Sequence, residues 1–114
     1  RFDVSPNALQ AVFETFGTTN DVDLYIRSGF PLPPPATNRF DFASTNTPAG
    51  DEWIGLVAGD TNRLLRPGTS YWIAVVPKNP LIRISYQVRA TQILRSEVTR
   101  LANGVSACTA TTVV

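Results

Sequence analysis

The sequence predicts an all-β fold, an antiparallel β-sandwich of jelly-roll type with about seven to nine short strands. Apolar residues recur at every second position in several segments, which is the period of a strand with one buried face. Nine prolines and seven glycines among 114 residues indicate many turns rather than long helices. The length is that of one ordinary globular domain.

The clearest alternation runs over residues 82–90, where apolar residues alternate with arginines and other polar residues. We expect Tyr86 to point into the core because it alternates with Ile84 and Val88. The segment 71–76 is aromatic and β-branched on both faces, which predicts a more central strand. The other predicted strands are Leu9–Thr15, Val22–Arg27, Asn38–Ala43, Glu52–Ala58 and a truncated Arg1–Val4.

The chain divides near residue 95 into a sandwich over 1–95 and a tail or linker over 96–114. Leu94, Val98 and Leu101 stand at helical spacing, although an extended linker fits this segment equally well. The end of the tail is small, β-branched and uncharged, so it could add an edge strand to a sheet or open a neighbouring module. Since the sequence contains no methionine, we expect a module of a longer polypeptide.

The composition argues against most catalytic chemistry. There is no histidine and only one cysteine, so Ser-His-Asp and Cys-His pairs and the usual zinc sites cannot be built. A net charge of +1 gives the chain no strong overall electrostatic attraction to nucleic acid or to an anionic membrane. No apolar run is long enough to span a membrane. We therefore expect a protein that is not an enzyme.

Four segments, in this order and with these separations, resemble the bacterial pre-peptidase C-terminal domain, which is related to the collagen-binding domains of bacterial collagenases. They are Asp23–Gly29, Phe40-Asp41, Pro67–Val75 and Ser85–Ala90. The resemblance implies a jelly-roll sandwich of a bacterial protein that is secreted or on the cell surface. It also implies a non-catalytic accessory module, attached to an enzyme such as a peptidase, that assists secretion or localisation or binds an extracellular polymer or substrate.

Expected partners are the rest of the parent polypeptide and an extracellular protein or polysaccharide. Two alternatives to the accessory role are a carbohydrate- or collagen-like-protein-binding module and a structural or adhesive repeat of a surface protein. Aromatic side chains are the candidate contact residues, because their flat rings bind sugars or anchor a protein strand. These candidates are Tyr25, Trp53, Tyr71 and Trp72.

The orientation of these aromatic side chains follows from the strand period. Tyr25 shares a face with Asp23 and Arg27, opposite the apolar residues of its strand, so it could be exposed. Of the adjacent Tyr71 and Trp72, one side chain points outward and is the stronger binding candidate. Core packing is the alternative for each of them.

Asp21 and Asp23 form the candidate metal site, for Ca²⁺; no other cofactor is expected. Carboxylates two residues apart on a strand project from the same face, and Ca²⁺ prefers several oxygen ligands. The resemblance adds that some collagenase relatives bind calcium through acidic residues. In the alternative, Asp21 caps the Asn20 turn and Asp23 pairs with backbone or with an arginine, because two carboxylates are too few for a calcium site.

Two further features have limited functional meaning. Asp51 and Glu52 are adjacent carboxylates, but neighbouring strand residues point oppositely, so they do not form a glycosidase pair. A surface turn leading into the Trp53 strand explains them better. Cys108 has no partner in the sequence and could pair with another chain or remain free.

Overall fold

The computed structural model describes residues 1–32, 39–46 and 51–95, together with the backbone of 109–113. The described residues form nine strands in two sheets that pack as a sandwich, which confirms the predicted fold class. The strands are β1 (Phe2–Asp3), β2 (Ala8–Phe16), β3 (Val22–Ser28), β4 (Phe42–Ser44), β5 (Trp53–Ala58), β6 (Leu64–Leu65), β7 (Ser70–Pro77), β8 (Gln87–Leu94) and β9 (Thr109–Val113).

The four-stranded sheet has the order β1-β7-β3-β4 and the five-stranded sheet the order β6-β5-β2-β8-β9. All pairs are antiparallel except β5 with β6, which are parallel. The long strand β2 lies between β5 and β8, and β3 lies between β4 and β7. The chain therefore crosses repeatedly between the sheets, and the strands that follow one another in sequence often lie on opposite layers.

The core follows the alternation of the sequence. On β2 the inward residues Ala11, Phe13 and Thr15 are buried, whereas their neighbours are partly exposed. The ring of Phe13 contacts Phe2 edge to face at 6.0 Å and Tyr71 at 5.3 Å between centroids. Because Phe13 belongs to the five-stranded sheet and the other two rings to the four-stranded sheet, this aromatic group joins the two layers.

A turn at Pro67-Gly68 lies between β6 and β7. Gly68 has a φ of +78°, a left-handed conformation that glycine adopts without the steric cost of a Cβ atom. Its backbone N–H donates to the carbonyl of Val4, and the N–H of Val4 donates to the carbonyl of Thr69. The turn therefore links β6 to β7, and its hydrogen bonds hold the N-terminal segment around Val4 beside the turn.

The predicted strand over 82–90 begins later than expected. The structure has β8 at Gln87–Leu94, and Tyr86 is 45% exposed, so its predicted inward orientation is wrong. The physical reason is a competing contact: the N–H of Thr19 donates to the carbonyl of Ser85, and the N–H of Ser85 donates to Oγ1 of Thr19. These bonds hold residues before β8 against the β2–β3 turn instead of in a sheet.

The tail contributes an edge to the five-stranded sheet. Strand β9 pairs antiparallel with β8, with Thr111 opposite Thr91. Val98 and Leu101, which with Leu94 show the helical spacing, lie outside the described residues, as does Cys108. Within the described part of the chain, no helix has the length and apolar character that crossing a membrane requires.

Candidate functional site

Three carboxylates meet at the end of the sandwich where β3 and β5 begin. Asp21 precedes β3, Asp23 lies within β3, and Glu52 directly precedes β5. Each side chain places one carboxylate oxygen in a group whose members all lie within 4.8 Å of one another. We call these residues the acidic cluster. It unites the predicted Asp21–Asp23 pair with a residue from the opposite sheet.

Backbone contacts hold the members of the cluster in place. The N–H of Glu52 donates to Oγ1 of Thr15, and the N–H of Thr15 donates to the carbonyl of Glu52. The N–H of Asp21 donates to Oδ1 of Asn20, and its carbonyl accepts from the N–H of Lys78. The carboxylates are therefore positioned by the ends of strands β2, β3 and β7 rather than by a free loop.

One carboxylate oxygen of Asp23 and one of Glu52 each accept hydrogen bonds from two donors. Oδ2 of Asp23 receives the ammonium of Lys78 at 3.2 Å and the hydroxyl of Tyr25 at 3.4 Å. Oε2 of Glu52 accepts from the hydroxyl of Ser44 and from the N–H of Asn46 at 3.2 Å. These contacts fix the rotation of both carboxylates, so their second oxygens have defined positions.

One oxygen of each of the three carboxylates is buried and lacks a hydrogen-bond partner among the described residues. They are Oδ1 of Asp21, Oδ1 of Asp23 and Oε1 of Glu52. Glu52 is 0% exposed and Asp23 is 5% exposed. A buried carboxylate oxygen without a donor costs several kcal/mol in general. These three oxygens belong to the three residues of the acidic cluster.

The cluster contains more acidic than basic groups. Three carboxyl groups face the single ammonium of Lys78. The hydrogen bond to Asp23 and the charge of this carboxylate raise the pKa of Lys78 above its usual range. Burial, followed by the charge of Asp23, raises the pKa of Tyr25. Both groups therefore keep their protons at neutral pH and donate to Asp23.

The spread of the oxygens suits Ca²⁺. Two oxygens bound to the same Ca²⁺ at about 2.3–2.6 Å can lie at most about 5 Å apart, whereas for Mg²⁺ the limit is about 4 Å. The oxygens of Asp21, Asp23 and Glu52 lie within 4.8 Å of one another, which is compatible with the larger ion. Hard carboxylate oxygens are also the ligands that Ca²⁺ prefers. The residues present therefore fit a calcium ion.

The acidic cluster changes two interpretations of the sequence. A surface turn was predicted for Asp51 and Glu52. This prediction is wrong for Glu52, which is fully buried. Asp51 is exposed, in agreement with the prediction that the two side chains point in opposite directions. The alternative to a metal site predicted that Asp23 pairs with backbone or with an arginine. In the structure the cation beside Asp23 is Lys78. Sequence reasoning missed Glu52 as a companion of Asp21 because only the packing of the two sheets brings them together.

The aromatic candidates separate into buried and exposed residues. Tyr25 is 6% exposed and packs against the ring of Phe40 at 5.2 Å, so of its two interpretations the structure supports core packing. Tyr71 is 1% exposed and belongs to the core rather than to a binding surface. Trp72 is partly exposed, with the guanidinium of Arg1 at 5.9 Å from its ring. Trp53 is 59% exposed.

Comparisons with known proteins add no relative. No family model, no curated protein and no solved structure matches this chain. The resemblance of its four segments to the pre-peptidase C-terminal domain therefore stays a prediction.

Proposed function

We propose that this chain is a non-catalytic accessory module of a secreted bacterial protein and that it binds one Ca²⁺ ion at the acidic cluster. The observation that carries the cation site is the set of buried, unpartnered oxygens on Asp21, Asp23 and Glu52, which lie at one end of the sandwich. The accessory role is supported by the four family-like segments and by the absence of histidine from the sequence.

A cation at this place would join the two sheets. Asp23 belongs to the four-stranded sheet, while Glu52 directly precedes β5 of the five-stranded sheet. A ligand that binds only the folded state adds stability that grows with the logarithm of its concentration. Extracellular modules commonly bind Ca²⁺ with a Kd of about 10⁻⁴–10⁻³ M, so such a module would be most stable after export into a calcium-containing medium.

The burial of the cluster also supports the non-catalytic role. Glu52 is 0% exposed and its bonded oxygen is held by Ser44 and Asn46. A general acid or base has to reach the substrate within hydrogen-bond distance, which a fully covered carboxylate does not do. We infer that the module localises its parent protein or assists its secretion, and that any hydrolytic chemistry belongs to another part of the parent.

The cation site is tested by thermal unfolding of the EDTA-treated protein during titration with CaCl₂. We expect the Tm to rise with Ca²⁺ concentration, by an amount equivalent to about 2.7 kcal/mol at a hundredfold excess over Kd. The variant Glu52→Gln should lose this rise because it removes one ligand charge. The variant Asp51→Asn is the matched control, since it removes the adjacent, exposed charge, and should behave like the wild type.

A second variant keeps the test decisive if Glu52→Gln does not fold. Asp21→Asn alters the most accessible carboxylate of the cluster and should also abolish the response to Ca²⁺. Isothermal titration calorimetry on the wild type provides an independent measurement of binding. No calcium-dependent rise in the wild type, or an equal loss of response in Asp51→Asn, would contradict the site. Peptidase or glycosidase activity of the purified chain would contradict the non-catalytic role.

A further inference from the structure

An exposed tryptophan lies flat on the outer face of the five-stranded sheet. Trp53 is the first residue of β5 and is 59% exposed. A Cβ atom built on Gly55 would lie 2.2 Å from Cη2 of the Trp53 ring, so the indole covers the space that a larger side chain would fill. The glycine thus allows one face of the ring to rest on the strand while the opposite face is open to solvent.

A bonded pair of charged residues continues the same row across the sheet. Trp53 is opposite Glu14 on β2, and Glu14 is opposite Arg89 on β8. Directly opposed residues of antiparallel strands share one face, so the three side chains leave the sheet on the same side, with the Trp53 ring lying over Gly55. With neighbouring strands about 4.8 Å apart, the row spans about 10 Å.

The charged pair is held in a defined orientation. Nε and Nη2 of Arg89 both donate to Oε1 of Glu14, with the Nε bond at 2.9 Å. The guanidinium also lies over the ring of Phe16 at 5.0 Å. Among the described residues no donor contacts Oε2 of Glu14, which leaves this oxygen available as an acceptor on the face of the sheet that also holds Trp53.

We infer that the row Trp53, Glu14 and Arg89 is a binding site for a pyranose unit of a neutral polysaccharide. A pyranose has an apolar C–H face that stacks on an aromatic ring, and hydroxyl groups at its edge. A hydroxyl can donate to Oε2 of Glu14 and a neighbouring one can accept from the guanidinium of Arg89. Ligand sites commonly combine one apolar wall with a few oriented polar groups in this way.

The chemistry of the row favours a sugar over a protein surface. Covering the Glu14–Arg89 pair with an apolar protein surface would remove its water without replacing the hydrogen bonds, whereas sugar hydroxyls replace them. The other exposed apolar residues near this strand, Val57 and Leu64, are 42% and 39% exposed. Val57 shares the face of Trp53 on β5, and Leu64 is the partner of Val57 on β6.

This inference names the polymer for the proposed accessory role, and it does not depend on the cation site. The test is depletion of the purified chain by insoluble cellulose, chitin and β-1,3-glucan, with gelatin as a protein polymer. Each mixture is prepared once with CaCl₂ and once with EDTA, so failure of the cation site is observed separately. We expect the wild type to bind at least one of the polysaccharides.

Matched variants locate the surface. Trp53→Ala should weaken binding at least tenfold, and Gly55→Ala should weaken it because the new Cβ displaces the ring. Glu14→Gln should weaken it less, since an amide still forms hydrogen bonds. Phe30→Ala is the control, because it removes another aromatic ring that is 65% exposed; far-UV circular dichroism checks folding. No binding to any polysaccharide, binding to gelatin alone, or equal losses in Trp53→Ala and Phe30→Ala would overturn the inference.

Discussion

Lys78 is the only cation that the described residues place against the acidic cluster. Its ammonium lies 3.2 Å from Oδ2 of Asp23, and its backbone N–H donates to the carbonyl of Asp21. The lysine side chain is 45% exposed, so it neutralises part of the cluster from the solvent side. It therefore stabilises the cation-free state and at the same time opposes the approach of a second positive charge.

Replacing this lysine should strengthen calcium binding. In Lys78→Met the cation-free protein loses the partner of a buried carboxylate, so its Tm should fall, whereas Ca²⁺ affinity should rise about three- to tenfold because a nearby positive charge is absent. Calorimetric titration measures the affinity. Arg83→Met is the control, as it removes an exposed charge from the same loop. Equal affinities of wild type and Lys78→Met would show that Lys78 does not act on the site.

At the residue scale, local spacing predicted which carboxylates of one segment lie close together. It did not predict which residues of other segments pack against them. The positions of Asp21 and Asp23 predicted that their carboxylates lie close together, and they do. The same period left the exposure of Tyr25 open, and Phe40 covers its ring. Glu52 could not be joined to the pair from the sequence, because no local pattern states which strand of the second sheet ends beside β3.

At the scale of the element, β2 is the strand on which the packing of both sheets depends. It pairs with β5 on one side and β8 on the other. Its residue Phe13 is 0% exposed and contacts aromatic rings of β1 and β7. One side chain of β2 thus contributes to the contact of three strands from both layers.

Truncation of this side chain should therefore be severe. Phe13→Ala is expected to lower the free energy of unfolding by about 3–5 kcal/mol, through lost apolar burial and the cavity that remains. Urea denaturation measures the change. Phe30→Ala removes the same ring from a position that is 65% exposed, and should cost no more than about 1 kcal/mol. Similar losses for the two variants would contradict the assigned core.

The longer elements were accessible from periodicity, and the two-residue strand β1 lies within the predicted segment Arg1–Val4. The segments predicted around β2, β3, β5 and β7 are strands in the structure. The start of β8 was misplaced, because the contacts of Ser85 with Thr19 compete with the sheet. The two-residue strand β6 was missed, since Leu64 and Leu65 are too few to show a period; its pairing with β5 defines it.

For the whole molecule, the groups with raised pKa values predict an alkaline limit of stability. The pKa of Lys78 is raised by Asp23, and those of Tyr25 and Tyr71 are raised chiefly by burial. The folded state therefore holds these protons more tightly than the unfolded chain does. Stability from these groups is complete below the unfolded pKa values, near pH 10, and is lost as the pH rises through the folded values.

Urea unfolding between pH 8 and pH 11.5 measures this dependence. We expect the free energy of unfolding contributed by these groups to be level up to about pH 9.5 and to fall above it. In Tyr25→Phe the fall should be less steep, because one of the titrating groups is absent. Tyr86→Phe, which removes an exposed phenol, is the control. An identical alkaline fall in wild type and Tyr25→Phe would exclude a contribution from Tyr25.

By itself the sequence determined that this chain is all-β, that its apolar residues divide between strand faces, and that it contains no histidine. These properties follow from local spacing and composition. Only the tertiary structure decided which carboxylates share a site, which tryptophan is exposed, and where β8 begins. Each of these depends on contacts between residues far apart in the chain, such as Glu52 with Asp21 or Ser85 with Thr19, and local periodicity contains no information about such pairings.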